Sequence, residues 1–112
     1  MSSCLFCQIA NKKIPSEIIF ENKRIIAFKD IDPKAPVHIL IIPKKHITSV
    51  NHLKSKDKGL VGELFLVAQK ITKKKKLIKR GYRLVINKGK NAGQTIEHLH
   101  LHLLGGKKLP FA

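Results

Sequence analysis

The chain has 112 residues and a formal net charge of +16, with 23 Lys plus Arg against 7 Asp plus Glu. That length and 43% hydrophobic content fit one globular domain over 1–112, and no apolar run reaches the ~20 residues of a membrane-spanning helix, so no membrane partner is expected. The charge favours polyanions in general, but 20 of the 23 cations are Lys and only 5% of residues are aromatic, which argues against nucleic acid as the main partner.

The start, Met-Ser-Ser-Cys-Leu-Phe-Cys, lacks a basic stretch followed by an apolar one. A cytoplasmic protein is therefore expected. Cys4 and Cys7 form a Cys-x-x-Cys pair, a half-site for zinc or a redox pair. No strand precedes it, as a thioredoxin-like motif requires. If zinc is the answer, two further N or S ligands come from elsewhere in the chain.

Ile18–Glu21 and Arg24–Lys29 are β-rich runs separated by Asn22-Lys23, which reads as a hairpin. Asp30-Ile-Asp-Pro-Lys-Ala-Pro is turn chemistry, with Pro33 and Pro36 blocking a helix. His38–Pro43 is almost wholly apolar, as in a strand buried on both faces. Leu60, Val61, Leu64, Val67, Ala68 and Ile71 recur at helical spacing, with Ser55 as N-cap and Asp57 in the first turn. The Lys73–Lys76 run then complements the helix C-terminus, and Gly81 breaks the chain. Tyr82–Asn87 is a fourth strand, 88–93 a Gly-rich loop, and Ile96–Leu104 a fifth strand. The order β-β-β-α-β-β predicts an α+β domain: five mostly antiparallel strands with one main helix packed on the sheet.

The fifth strand carries the chemistry. Its alternation places Leu99, Leu101 and Leu103 on one face and His98, His100 and His102 on the other. Packing alone does not explain three such histidines, because each brings two ring nitrogens that need partners. His98 and His102 lie about 13 Å apart at the backbone by the strand rise, so the three divide into a pair and an end residue. A neutral imidazole is a nucleophile near neutral pH if its other nitrogen keeps a proton held by an acceptor. The loop from Asn87 to Gly93, followed by Gln94-Thr95, offers N–H and O–H groups to phosphate oxygens. Together these suggest phosphoryl or nucleotidyl transfer through histidine. A metal site using all three histidines is the rival.

Gln94-Thr-Ile-Glu-His-Leu-His-Leu-His-Leu-Leu-Gly-Gly106 resembles the His-x-His-x-His-x-x signature of the histidine triad family. The stretch from Asp30 to His46 resembles that family's upstream block. The similarity runs from Cys4 to Gly106 and is closest to the Hint branch, the purine nucleoside phosphoramidases. The resemblance implies that His100 attacks the α-phosphate and carries a nucleotidyl intermediate. It implies that His102 contacts the phosphate and assists the leaving group, that His38 supports the nucleophile from beside it, and that Thr95 lies near the departing amine. Asn87 and Gly93 would bind phosphate and ribose, Asp30 the ribose hydroxyls, and Ile14, Phe28 and Ile31 the purine. For these last three, ordinary core packing is the competing reading.

The resemblance also implies a structural zinc held by Cys4, Cys7, His46 and His98, a Cys₂His₂ set, with no catalytic metal. His52 has no motif role. Relatives often carry a longer tail with an aromatic residue that shapes leaving-group preference, a place Phe111 would take here. The expected protein is a homodimeric nucleotide hydrolase that cleaves an AMP-amine P–N bond. The alternatives are a dinucleoside polyphosphate hydrolase and a non-catalytic nucleotide- or zinc-binding adaptor.

Overall fold

The computed structural model describes residues 3–110. The chain runs α1 (Leu5–Ala10), β1 (Ile18–Glu21), β2 (Ile25–Lys29), β3 (Val37–Pro43), α2 (Lys58–Lys74), β4 (Tyr82–Val85) and β5 (Leu101–Gly105). Short 3₁₀ turns occupy Val50–His52, Ser55–Asp57 and Lys90–Ala92. The strands form one sheet in the order β1-β2-β3-β5-β4, every neighbouring pair antiparallel. The α+β architecture therefore agrees with the sequence reading.

Each face of the sheet is set by strand alternation. Ile39 and Ile41 of β3 and Leu101 and Leu103 of β5 meet Leu60, Leu64, Val67, Ala68 and Ile71 of α2. Fully burying one such side chain contributes roughly 1.5–3 kcal/mol, so this layer is the main core. Leu40 and Ile42 of β3, with Ile26 and Phe28 of β2, face the other way and meet Phe6, Ile9 and Ala10 of α1. β3 is thus buried on both faces, which is why it reads as an unbroken apolar run. With only six residues, α1 covers part of that second face. His38 and His102 stand on the same face, where β3 pairs with β5 in the register Leu40↔His102 and His38↔Leu104.

The hairpin between β1 and β2 is closed by one side chain. Asn22 Oδ1 accepts the N–H of Arg24 at 2.9 Å and of Ile25 at 2.8 Å. Such local bonding is what makes Asn a turn residue.

Four local expectations are corrected. α1 was not expected; the Cys4 thiol caps it, Sγ accepting the Cys7 N–H at 3.4 Å. Ser55 is not the helix N-cap: it opens a 3₁₀ turn, and Asp57 organises the entry, its Oδ2 accepting the Lys54 N–H at 2.9 Å. β4 ends at Val85, two residues short of Asn87. β5 pairs only over Leu101–Gly105, so His98 and His100 precede the ladder. Its register would bring Leu99 opposite Pro43, which has no N–H to give to the Leu99 carbonyl and whose own oxygen accepts from the His98 ring, and Leu99 N–H donates to Ile47 O at 2.6 Å. The side-chain alternation survives: Leu99 joins the α2 core while the His98 and His100 rings pack edge-on to Phe6 of α1.

Candidate active site

The three histidines of the fifth-strand segment hold different partners. His100 Nδ1 lies 2.7 Å from the main-chain oxygen of His98. A carbonyl only accepts, so Nδ1 carries the proton and Nε2 keeps a lone pair. The His100 ring stands edge-on to His102, with centroids 4.8 Å apart. Phe6 meets its other side, also edge-on, at 5.1 Å.

His102 is set by a chain of hydrogen bonds that begins at the backbone. Lys34 N–H donates to His38 Nδ1 at 3.0 Å. His38 therefore carries its proton on Nε2, which lies 3.0 Å from His102 Nδ1 and 3.4 Å from Asp30 Oδ2. Donation from His38 leaves His102 Nδ1 as acceptor and puts the His102 proton on Nε2. Burial, then the neighbouring His100 and His38, pushes His102 down to about 4. Burial likewise lowers His38, opposed by the Asp30 carboxylate. Both rings are thus neutral at pH 7. One lone pair (His100 Nε2) and one N–H (His102 Nε2) result on adjacent rings.

A cleft of about 550 Å³ opens beside them. His38, His100 and His102 line it, with Phe28, Ile14 and Ile31 as apolar wall, and Asp30, Gly93 and Thr95 as polar groups. Phe28 is buried in the α1 layer, whereas Ile31 is 93% exposed, so core packing accounts for the first and not for the second. Asp30 Oδ1 accepts the Asp32 N–H at 2.9 Å, which fixes the carboxylate at the cleft edge. Gly93 has φ +86°, a left-handed conformation in which a side chain is strained. Gln94 ties this loop down: its Oε1 accepts the Gly89 N–H at 2.9 Å, and its Nε2 donates to Thr48 O at 3.0 Å.

His98 turns away from the cleft into a second cluster. Its Nε2–H donates to Pro43 O at 2.8 Å, leaving Nδ1 bare. That Nδ1 is 3.4 Å from Cys4 Sγ and 3.6 Å from Cys7 Sγ, and His46 Nδ1 is 3.3 Å from Cys7 Sγ. All four donor atoms lie within 4.8 Å of one another. Tetrahedral zinc with its usual bond lengths separates S and N ligands by about 3.5 Å, so the set fits that ion. The ring nitrogen of His98 that faces away from the sulfurs is held by a backbone acceptor, the usual support of a ligating imidazole. Burial, reinforced by Cys4, raises the Cys7 thiol to about 11, and burial lowers His98 to about 4. A cation there would reverse the cysteine shift. Asp30, His38 and His102 also lie close together, but the Lys34 N–H occupies His38 Nδ1. A metal on His38 Nε2 would leave that neutral ring no place for its proton, so this trio serves as a hydrogen-bond relay.

The structure brings together the predicted residues in two groups, with two differences. His38 bonds to His102 rather than standing against His100 as its direct support, because the β3–β5 register sets those two rings side by side. Asn87 does not line the cleft; it sits in the loop that leaves β4 early. Phe111 lies outside the described residues. Three contributors escape sequence reasoning: the Lys34 amide, the Pro43 carbonyl and Phe6. Only Phe6 had a signal, an aromatic placed between the two cysteines.

The family described as "Scavenger mRNA decapping enzyme C-term binding" matches residues 3–110. A HIT-like protein of Buchnera aphidicola from Acyrthosiphon pisum is 50% identical over 105 residues, 94% of this chain and 92% of that protein. The crystal structure of a HIT family hydrolase from Legionella pneumophila superposes with a TM-score of 0.95 at 46% identity, covering 97% of each chain. A histidine triad protein from Clostridium difficile superposes with a TM-score of 0.97 at 43% identity, covering 100% of this chain and 97% of that one.

Proposed function

The chain belongs to the histidine triad (HIT) family, and from that premise we propose that it is a purine nucleoside phosphoramidase of the Hint type. It hydrolyses the P–N bond between AMP and an amine through a nucleotidyl-histidine. The observation that carries this reading is the pair of opposite tautomers: His100 with Nε2 bare and His102 with Nε2–H, on adjacent rings in one cleft. With its proton on Nδ1, the first offers Nε2 as a nucleophile without needing a base, and the second is a hydrogen-bond donor for a phosphate oxygen.

In this mechanism the purine lies against Ile14, Phe28 and Ile31, and Asp30 accepts from the ribose hydroxyls. Thr95 holds a phosphate oxygen on the leaving-group side, and Gly93, whose N–H is donated to Lys90 O at 3.1 Å, lets the loop pass close to the phosphate without a side chain. His100 Nε2 bonds to phosphorus as the P–N bond breaks. The departing nitrogen takes a proton from water and leaves as the amine. His98 O stabilises the positive ring that results, through Nδ1–H. The hydroxide left from that water, or a second water that gives it a proton, then bonds to phosphorus as the P–N bond to His100 breaks, which consumes one water in all and regenerates the neutral ring. His102 donates to the phosphate throughout.

Zinc at Cys4, Cys7, His46 and His98 belongs to the same reading. With four protein ligands it would cross-link α1 to the segment before β5 and leave no open position for chemistry. A homodimer also belongs to it, supported by the exposed Phe65 and Leu66 of α2 and by β4 at the sheet edge.

A substrate panel tests the reading. Turnover of an AMP-amine well above that of diadenosine triphosphate is expected. The reverse order would make the protein a dinucleoside polyphosphate hydrolase. Tight AMP binding with no turnover of either would make it an adaptor.

A further inference from the structure

His98 belongs to both clusters. Its ring is clamped between Pro43 O and the two sulfurs, and its main-chain oxygen fixes the His100 tautomer. Any rotation of residue 98 that loosens the ring also moves that carbonyl. Phe6 provides a second connection. It lies between Cys4 and Cys7 on α1, with its ring edge-on to His98 at 6.0 Å, to His100 at 5.1 Å and to Phe28 at 5.5 Å. A helix of six residues has little stability of its own. Its position depends on Phe6, Ile9 and Ala10 against the sheet and on the two thiols against His46 and His98.

We propose that the Cys4–Cys7–His46–His98 cluster is energetically coupled to the nucleotide cleft, with His98 and Phe6 as positioning residues that transmit metal occupancy to the His100 ring. This rests on the reading that the cleft binds a purine nucleotide. Gathering four donor atoms onto one cation orders α1 and residue 98 before nucleotide arrives. The nucleotide then meets an ordered Phe6, Phe28 and His100 and binds more tightly. Coupling is reciprocal, so bound AMP also raises the affinity for zinc.

The experiment uses the wild-type chain stripped by a chelator and desalted, and the same protein reloaded with one equivalent of Zn²⁺. AMP affinity is measured calorimetrically on both, with no free zinc in the loaded sample. Loading should tighten AMP binding by about fivefold or more, the lower end of common coupling. The Nδ1–H resonance of His100 should be sharp in the loaded protein and broadened by exchange in the stripped one. Phe6→Leu, which leaves all four donors in place, should still take up one equivalent of zinc, while its loaded-to-stripped ratio for AMP falls towards one. Equal AMP affinity with and without zinc overturns the coupling and leaves the nucleotide reading intact. AMP binding to neither form overturns that reading and the coupling with it. Uptake of less than a tenth of an equivalent of zinc overturns the coupling as well. A Phe6→Leu protein that keeps the full ratio removes Phe6 as a transmitter.

Discussion

The main-chain oxygen of His98 accepts the Nδ1–H of His100 at 2.7 Å, and this bond decides which nitrogen of His100 is free. Because the acceptor is backbone, no side-chain substitution at position 98 removes it outright. The free lone pair faces a cleft whose other imidazole, His102, presents a proton. That complementarity traces back to two main-chain groups, the His98 carbonyl on His100 Nδ1 and, through His38, the Lys34 N–H on His38 Nδ1.

His38→Ala breaks that relay. His102 loses the donor that keeps its proton on Nε2, while the apolar wall of Ile14, Phe28 and Ile31 and the His100 lone pair stay in place. kcat should fall by at least about tenfold, and by no more than the ~10²–10⁴ that positioned proton-bearing groups contribute, with KM changing far less. Steady-state kinetics on an AMP-amine checks this. A KM effect with kcat unchanged would make His38 a binding residue only.

The buried rings predict an acid-sensitive fold. His102 sits at about 4 in the native state against an ordinary value near 6.5, and His38 is shifted the same way. Between those values the unfolded chain binds more protons than the folded one, so stability rises with pH there. It is full above about pH 6.5 and is lost as pH falls towards 4. Thermal unfolding from pH 8 to pH 4 should show this loss, and His102→Gln should make the slope shallower. A wild-type Tm that is flat from pH 7 to pH 5 would contradict it.

Zinc removal tests the second cluster separately. Chelation of zinc-loaded protein should lower Tm by about 10 °C or more, equivalent to about 2 kcal/mol for a domain of this size. Cys7→Ser should lose at least tenfold in zinc affinity. Purification without added metal should yield close to one zinc per chain. An unchanged Tm after chelation would leave the cysteines as reduced thiols of no structural weight.

The net charge of +16 has a predicted role in rate. Long-range attraction of an anionic nucleotide weakens once the Debye length shrinks to ~10 Å near 0.1 M salt. kcat/KM should therefore drop between low and moderate ionic strength. If it does not, the lysines serve as a solvated surface alone.

Side-chain patterns made much of this legible from residues 37–43 and 99–104. β3 reads as a continuous apolar run because α2 covers one face and α1 the other. Leu99, Leu101 and Leu103 alternate with three histidines because the leucines fill the core on one side only. The missed parts have physical reasons. α1 is too short to display helical periodicity, and its cap is a thiol. The β5 ladder stops early because Pro43 lacks a donor, a property of the partner strand. The Lys34 amide and the Pro43 carbonyl are main-chain groups found at nearly every position, so no residue type announces them.

The claim that matters most is covalent chemistry at His100. An AMP-amine reaction quenched in acid-free denaturant within the first turnovers, then digested and analysed by mass spectrometry, tests it directly. The account predicts an AMP adduct on the peptide carrying residues 98–102, assigned by fragmentation to His100. It also predicts that folded His100→Ala shows neither adduct nor turnover. An adduct on another residue, or turnover in His100→Ala matching wild type, would contradict it.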